Sequence, residues 1–244
     1  MRDSLRLIEQ ARARGLDVTA DQYPYVAGST SLFAVVQNGG FRSDSPGGLG
    51  ELGGDDVLVA SAPKHPEWEG KTVAALATAW SVDSAAAAHR IVDGEGEACF
   101  VVIFTMDEAD VKTVMAHPTT MIGSDGVPTG GKPHPRLYGC FPRVLGRYVR
   151  DEKVLDLATA VHRMTGMPAR KFQLADRGAV RPGAFADLVV FDPARIADVA
   201  TYESPRQTPA GIHAVYVNGI AVARNGAHTG ARPGRPLRRG KSDR

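Results

Sequence analysis

Apolar residues follow a helical spacing in some segments of the chain and form short continuous runs in others. Leu5, Ile8 and Ala11 share one face of a predicted helix, which Gly15 ends. Residues 16–20 then predict a short strand. Because a helix followed at once by a strand is half of a repeating βα unit, the pattern indicates an α/β fold, and the chain is expected to begin partway through a repeat.

The same reasoning predicts the remaining elements, whose character changes towards the C-terminus. Strands are expected at 57–60, 99–104 and 119–122, and helices around 76–80 and at 83–91, 107–116, 142–150 and 157–165. A glycine-rich loop is expected at 38–56, a turn at 168–170 and a hairpin turn at 177–183. Antiparallel strands are expected at 186–192, 214–217 and 220–223, the last two joined by Asn218-Gly219.

Composition limits the expected partners and compartment. Over 244 residues the net charge is +2 and no basic stripe precedes Arg232, so nucleic acid is not an expected partner. The two cysteines, Cys99 and Cys140, lack Cys-x-x-Cys spacing, which favours a reducing compartment without disulfides or structural zinc. No apolar run approaches ~18 residues, so no membrane span is expected. The default location is the cytoplasm.

The segment from Thr119 to Gly126 is the most informative part of the chain. A short β-branched and apolar run ends on Ser-Asp-Gly, which puts the carboxylate of Asp125 at the carboxyl end of a buried strand. In parallel α/β folds this end of the sheet carries the chemistry. The alternative is that Asp125 only closes an Asx-turn, because Ser-Asp-Gly is also favourable turn chemistry.

Further motifs narrow the class of protein. They are Asp21-Gln22-Tyr23-Pro24-Tyr25 with Ala27-Gly28-Ser29-Thr30, His134-Pro135-Arg136, Gly139-x-Phe141-Pro142-Arg143-Val144-Leu145-Gly146-Arg147-Tyr148, and Met164-Thr165-x-x-Pro168-Ala169. With the segment at 119–126, they resemble the N-acyl-D-amino-acid deacylases (D-aminoacylases) of the metal-dependent amidohydrolase superfamily. The stretches 186–192 and 217–219 are typical of the whole superfamily. The His-x-His pair that the superfamily carries near its start does not occur here, so the chain resembles the C-terminal portion of such an enzyme.

The resemblance implies a division of the chain. Residues 1–30 and 98–177 would form the last strands and helices of a partial (β/α)₈ TIM-like barrel, and residues 31–97 an insertion between its last two strands. Residues 178–230 would form the C-terminal share of a β-sandwich, and residues 231–244 a flexible tail. The insertion departs from the family at 42–55, which is short and glycine-rich where the family usually has a helix.

The resemblance also implies zinc-dependent hydrolysis of N-acyl-D-amino acids, small molecules that yield a carboxylate and a free D-amino acid. Asp125 matches the catalytic aspartate, which takes a proton from the attacking water and returns one to the leaving amine. It is also a candidate metal ligand, the other ligands lying upstream of Met1. Arg136 would anchor the substrate carboxylate, for which a guanidinium is well shaped, or would form a structural ion pair. Tyr25 and Ser29 would supply hydroxyls to that carboxylate, although ordinary packing explains them equally well.

Other interpretations remain open. All seven histidines are isolated; among them His134 follows the Asp125 strand and could approach the site, although a structural role is the more ordinary explanation. A cyclic-amide amidohydrolase, similar to dihydroorotase or hydantoinase, is one alternative. The other is a non-catalytic protein or a split-enzyme subunit that needs a complementary N-terminal half or a homo-oligomer. For this reason we expect the isolated chain to be inactive.

Overall fold

The protein was studied as a computed structural model, which describes residues 2–41 and 52–240. Residues 42–51, which belong to the predicted glycine-rich loop and to the segment that departs from the family, lie outside the described residues. The last four residues of the tail lie outside them as well. The α-helices there are α1 Arg2–Ala13, α2 Leu32–Gln37, α3 Val73–Trp80, α4 Ser84–Glu95, α5 Glu108–Ala116, α6 Arg136–Arg143, α7 Leu157–Met164 and α8 Gly166–Lys171. The strands are β1 Ala20–Gln22, β2 Gly28–Ser31, β3 Val57–Ser61, β4 Phe100–Ile103, β5 Thr120–Ile122, β6 Leu188–Phe191, β7 Ile212–Val217, β8 Ile220–Arg224 and β9 Ala227–His228.

Strands β1 and β5 form a two-stranded parallel sheet, in which Ala20 lies opposite Thr120. β1 begins four residues later than the sequence predicts, because residues 16–19 form no ladder. All three residues of β5 are buried, as predicted. Helix α5 precedes β5 directly, and the side chain of Asp107 caps it by accepting from the N–H of Ala109. These helix–strand units confirm the α/β class.

A second sheet is antiparallel, in the order β2-β4-β3. Helices α2, α3 and α4 pack on it around a large apolar cluster that includes Val57, Val101 and Ile91. The sequence analysis missed β2 and α2, since Gly-Ser-Thr-Ser carries no apolar alternation and β2 is held by its pairing with β4. The sheet joins strands from both sides of the predicted boundary between barrel and insertion, so that division stays a prediction.

The third sheet is antiparallel, in the order β6-β7-β8-β9. Asn218 and Gly219 join β7 to β8 with φ angles of 49° and 81°, the conformation that a tight hairpin needs and that these two residues adopt at little cost. The prediction of this hairpin is confirmed. The predicted hairpin turn at 177–183 is wrong. In the described chain β5 ends at Ile122 and the next strand begins at Leu188, so this segment does not join two strands.

Two prolines lie inside helices, contrary to the predictions. The sequence analysis began a helix at Pro142, whereas α6 begins at Arg136 and contains Pro142 in its last turn. The chain then continues as a π-helical stretch, Val144–Asp151. Proline lacks an amide hydrogen and crowds the preceding turn, so a wider helical turn beyond it is reasonable. The predicted turn at 168–170 is also wrong, because Pro168 lies in the first turn of α8, where its missing donor costs little.

Candidate active site

Asp125 lies just beyond the carboxyl end of β5, as the sequence predicts. Its carboxylate oxygen Oδ2 is 2.8 Å from Nη2 of Arg136, and its side chain is 60% exposed. The structure therefore brings together the two site residues that the sequence analysis weighted most. Asp125 faces solvent at the sheet edge where parallel α/β folds place their chemistry.

The turn that carries Asp125 does not use the aspartate side chain. Gly126 donates its N–H to Oγ of Ser124 at 3.4 Å, while the carboxylate of Asp125 points to Arg136. The backbone of Asp125 has φ of 46°, in the left-handed region that aspartate tolerates better than most residues. The Asx-turn alternative thus loses its main support, since the carboxylate is directed away from the turn.

Arg136 is the first residue of α6, and its side chain is 2% exposed. Besides Asp125, Nη2 lies 3.4 Å from the carbonyl oxygen of Ser29. Within the described part of the chain, Nε and Nη1 are buried and have no hydrogen-bond partner. A buried guanidinium with unsatisfied donors is costly, which makes Arg136 a candidate anion-binding group.

Tyr23 is a site residue to which the sequence analysis gave no role. The guanidinium of Arg136 lies over its ring, 4.4 Å from the centroid. Such cation–π contacts stabilise a buried guanidinium without using its hydrogen-bond donors. The signal in the sequence was the position of Tyr23 directly after β1, within the Asp-Gln-Tyr-Pro-Tyr motif.

Tyr25 and Ser29 lie close to this cluster, Tyr25 bonded through its hydroxyl and Ser29 through its backbone carbonyl. The hydroxyl of Tyr25 donates to Asp198 at 3.4 Å, and Asp198 also accepts from Nη1 of Arg143 at 2.8 Å. Burial, followed by the charge of Asp198, raises the pKa of Tyr25. Ser29 contributes its backbone carbonyl to Arg136. Asp198 and Arg143 are therefore positioning partners of Tyr25 that the sequence analysis missed, since 173 residues separate Tyr25 from Asp198.

Helix α6 is attached to the end of β5 by its buried cysteine. The Sγ atom of Cys140 donates to the carbonyl oxygen of Gly123 at 3.2 Å. Burial raises the pKa of Cys140 to about 12, so the thiol stays protonated near neutral pH and is a poor nucleophile. This contact helps to keep Arg136 next to Asp125.

His134 is buried in the same cluster, 4% exposed. Its Nε2 lies 2.9 Å from the carbonyl oxygen of Ala27, and its Nδ1 accepts from the backbone N–H of Arg136 at 3.0 Å. These partners require a neutral ring with the proton on Nε2. Burial, followed by the charge of Arg136, lowers the pKa of His134 to about 3. Among the histidines, His134 is the one that the structure brings into the cluster.

This lowered pKa makes stability depend on pH. Above the ordinary value of 6.5, His134 is neutral in both the folded and the unfolded chain. As the pH falls from 6.5 towards about 3, the unfolded chain binds a proton that the folded chain does not, and the free energy of unfolding falls. The loss is at most about 1.4 kcal/mol per pH unit. We expect His134→Phe to flatten the pH dependence over this window, as measured by urea unfolding at successive pH values. An equally steep profile in the variant would contradict the assignment.

The described residues do not by themselves fit a zinc ion. Catalytic zinc sites use three protein ligands with an open position for water. In residues 2–41 and 52–240, no group of three or more His, Cys, Asp or Glu side chains is placed to hold a metal ion. Asp125 is thus the candidate ligand of an incomplete set, and one of its oxygens is already engaged by Arg136. The same described residues contain no helix long and apolar enough to cross a bilayer.

The chain belongs to the amidohydrolase family, whose family model matches residues 64–223. It is 45% identical to a D-aminoacylase and 43% identical to an N-acyl-D-glutamate deacylase, both from Alcaligenes xylosoxydans xylosoxydans. Each match covers 98% of this chain but 45% of the relative, so the chain spans less than half the length of these curated relatives.

Solved structures give the same result. The N-acyl-D-glutamate deacylase from Bordetella bronchiseptica, complexed with zinc and a phosphonate mimic of the tetrahedral intermediate, is 40% identical with a TM-score of 0.83. The match covers 97% of this chain and 46% of that one. A D-aminoacylase structure is 44% identical with the same TM-score of 0.83, over 98% of this chain and 46% of that one. The resemblance that the motifs indicate is therefore confirmed.

Proposed function

We propose that this chain forms part of an enzyme that hydrolyses the linear amide bond of N-acyl-D-amino acids. The observation that carries the proposal is the pairing of Asp125 with the buried Arg136 at 2.8 Å. The pairing places a solvent-facing carboxylate beside a guanidinium whose Nε and Nη1 have no hydrogen-bond partner among the described residues. These are the two groups needed to move a proton and to hold a substrate carboxylate. Relatives over 98% of the chain are named as deacylases of this kind.

Asp125 accepts the proton of the water that attacks the amide carbonyl. When the C–N bond of the resulting tetrahedral species breaks, Asp125 returns that proton to the leaving amine, so the products are a carboxylic acid and a free D-amino acid. Arg136 is the proposed anchor of the α-carboxylate of the substrate, and its Nη2 lies 2.8 Å from Oδ2 of Asp125. Tyr25 and Ser29 lie beside these groups. Ser29 contacts Arg136 through its backbone carbonyl, and Tyr25 is held by its hydrogen bond to Asp198.

The proposed cofactor is zinc, as in the Bordetella relative, and zinc supplies an activated water when it is bound. Since the described residues contain no complete ligand group, we propose that the other ligands come from residues outside this chain. The proposal for Asp125 does not depend on which oxygen would contact the metal.

A complementary N-terminal half is the partner that the fold favours, with a homo-oligomer as the other possibility. Strands β1 and β5 pair only with each other in the described chain, yet parallel sheets normally contain more strands with both faces covered. An apolar cavity of about 630 Å³ lies between the helices and the third sheet, lined by Phe141, Leu145 and Val215 among others. We propose that these surfaces belong to the partial barrel and to the share of a β-sandwich, with the domain division given above. The two unpaired thiols favour the cytoplasm as the location.

The test of this proposal uses the chain alone and a chimera. In the chimera, the chain is joined to the part of the Alcaligenes D-aminoacylase that lies outside the match. We expect the chain alone to bind well under one zinc per chain and not to turn over N-acetyl-D-methionine. The chimera should bind zinc and hydrolyse this substrate, because it unites Asp125 and Arg136 with a complete ligand set.

Other outcomes would contradict specific parts of the proposal. If the chain alone held one zinc and turned the substrate over, it would need no complementary half. If a zinc-loaded chimera hydrolysed dihydroorotate or hydantoin but no open-chain N-acyl-D-amino acid, the cyclic-amide alternative would be correct. If a folded, zinc-loaded chimera hydrolysed none of these amides, this chain would be non-catalytic.

A further inference from the structure

The loop between Asp125 and Arg136 ends on a residue that the proposed reaction does not use. His134 accepts the backbone N–H of Arg136 on Nδ1 at 3.0 Å and donates from Nε2 to the carbonyl oxygen of Ala27 at 2.9 Å. Both ring nitrogens therefore bind backbone groups, and the two segments that supply these groups are far apart in the sequence. The ring is 4% exposed, so water does not compete for either contact.

The first contact acts on the helix that carries Arg136. An acceptor at one residue that takes the N–H two residues later has the geometry of an Asx-turn. Here the imidazole of His134 plays the part of the Asx side chain, and its partner is the first residue of α6. The contact satisfies one of the amide donors that a helix start leaves open. It also fixes where the side chain of Arg136 leaves the backbone.

The second contact acts on the segment that follows β1. Ala27 lies midway between Tyr25 and Ser29, and its carbonyl is the acceptor. The same segment is held against Arg136 by the carbonyl of Ser29, which lies 3.4 Å from Nη2. His134 thus ties the start of α6 to the segment that contacts the guanidinium.

Aromatic rings surround His134 and hold it in this orientation. Tyr25 and Tyr202 each present an edge-to-face contact with ring centroids 5.2 Å away, and Tyr23 does so at 6.2 Å. Of these, Tyr23 lies beneath the guanidinium of Arg136. Packing alone would therefore explain an aromatic ring at position 134, whereas the two hydrogen bonds require an imidazole.

We propose that His134 is a positioning residue for the anion-binding group of this site. Its two backbone contacts fix the start of α6 against the segment after β1, so that the guanidinium of Arg136 is held beside Asp125. The role of Arg136 as carboxylate anchor rests on the proposed function. The positioning of Arg136 does not, and it can be measured separately.

The experiment compares three variants of the 244-residue chain by amide hydrogen exchange at Arg136, resolved with overlapping peptides and mass spectrometry. His134→Phe fills the aromatic surroundings but removes both hydrogen bonds. His134→Asn keeps an acceptor for the N–H of Arg136 in an Asx-turn but leaves a gap. His134→Gln reaches Ala27 but is a poor partner for that N–H. Exchange in α4, which lies outside the cluster, controls for overall folding.

A hydrogen-bonding role and a packing role of His134 predict opposite rankings of the variants by the exchange rate of the Arg136 amide. If His134 positions Arg136, exchange of that amide should rise about tenfold in the Phe and Gln variants and stay near the wild-type rate in the Asn variant. If packing were its role, Phe would protect the amide like the wild type and Asn would not, which overturns the proposal. No change in any folded variant would also overturn it. Should His134→Phe fail to fold, the contrast between Asn and Gln decides alone.

The consequence for substrate binding is measured in the chimera. The Phe and Gln variants should raise the KM for N-acetyl-D-methionine more than they lower kcat, and Asn should restore most of the loss. The effect should vanish for N-acetyl-D-methionine amide, which has no carboxylate. If exchange follows the expected order but the KM does not change, the positioning of Arg136 is supported and its assignment as carboxylate anchor fails.

Discussion

Asp125→Asn in the chimera is expected to lower kcat by about 10²- to 10⁴-fold, the range for loss of a general acid–base group. Asparagine has the same shape and tolerates the left-handed backbone at φ of 46°, so the turn should persist. It can still accept a hydrogen bond from Arg136, but it cannot take a proton from water. Steady-state kinetics with N-acetyl-D-methionine measures the change.

Stability and a second carboxylate provide the controls. Because Asp125 is the ion-pair partner of Arg136, whose side chain is 2% exposed, its neutralisation should lower the free energy of unfolding, so kcat is compared at a temperature where both forms are folded. Asp93→Asn removes another exposed carboxylate, on α4, and should leave kcat unchanged. If Asp125→Asn lowered stability and left kcat intact, the aspartate would be only a structural partner of Arg136 and the proposed mechanism would be wrong.

Arg136→Met is expected to raise the KM by about 10²-fold while leaving stability unchanged or increased. The loss of binding reflects truncation of a buried charged partner, which costs several kcal/mol in binding. The gain in stability has a separate cause. Methionine removes a buried charge with two unpartnered nitrogens, and apolar replacement of buried charges is often neutral or stabilising. Kinetics of the chimera and urea unfolding of the chain measure the two effects.

The direction of the stability change separates the two explanations of Arg136. A structural ion pair predicts that Arg136→Met destabilises the chain, whereas an anchor that awaits its ligand predicts that it does not. Arg6→Met, which removes an exposed ion pair with Asp3 on α1, should alter neither quantity measurably. A clear loss of stability in Arg136→Met with an unchanged KM would favour the structural explanation.

Much of the fold could be predicted where local pattern and turn chemistry agree. Helices α1, α4 and α5 and the hairpin at Asn218-Gly219 each have an apolar spacing and a matching cap or turn residue. The errors occur where tertiary contacts override local preference. Strand β2 exists because β4 pairs with it, and α6, which begins at Arg136 rather than Pro142, starts where His134 accepts the N–H of Arg136. Proline in a last helical turn gives no local signal that the helix has already begun.

The candidate site residues could be chosen from the sequence, but the distances between them could not. Asp125 and Arg136 could be selected by position after a strand and by motif, yet their contact at 2.8 Å depends on the early start of α6. The role of His134 depends on Ala27, which is 107 residues away in sequence. His134 has no second histidine at a metal-ligand spacing, and its partners are backbone groups, which leave no signature in the sequence. Its sequence position therefore does not indicate the proposed role.

The left-handed backbone at Asp125 limits how this position can change during evolution. Valine, isoleucine and threonine would be strained at φ of 46°, so few replacements are open to a folded chain. Glycine and asparagine tolerate this backbone conformation, and each is reached from aspartate by a single nucleotide change. The carboxylate at position 125 can therefore be lost in one step, by a replacement that this backbone conformation tolerates.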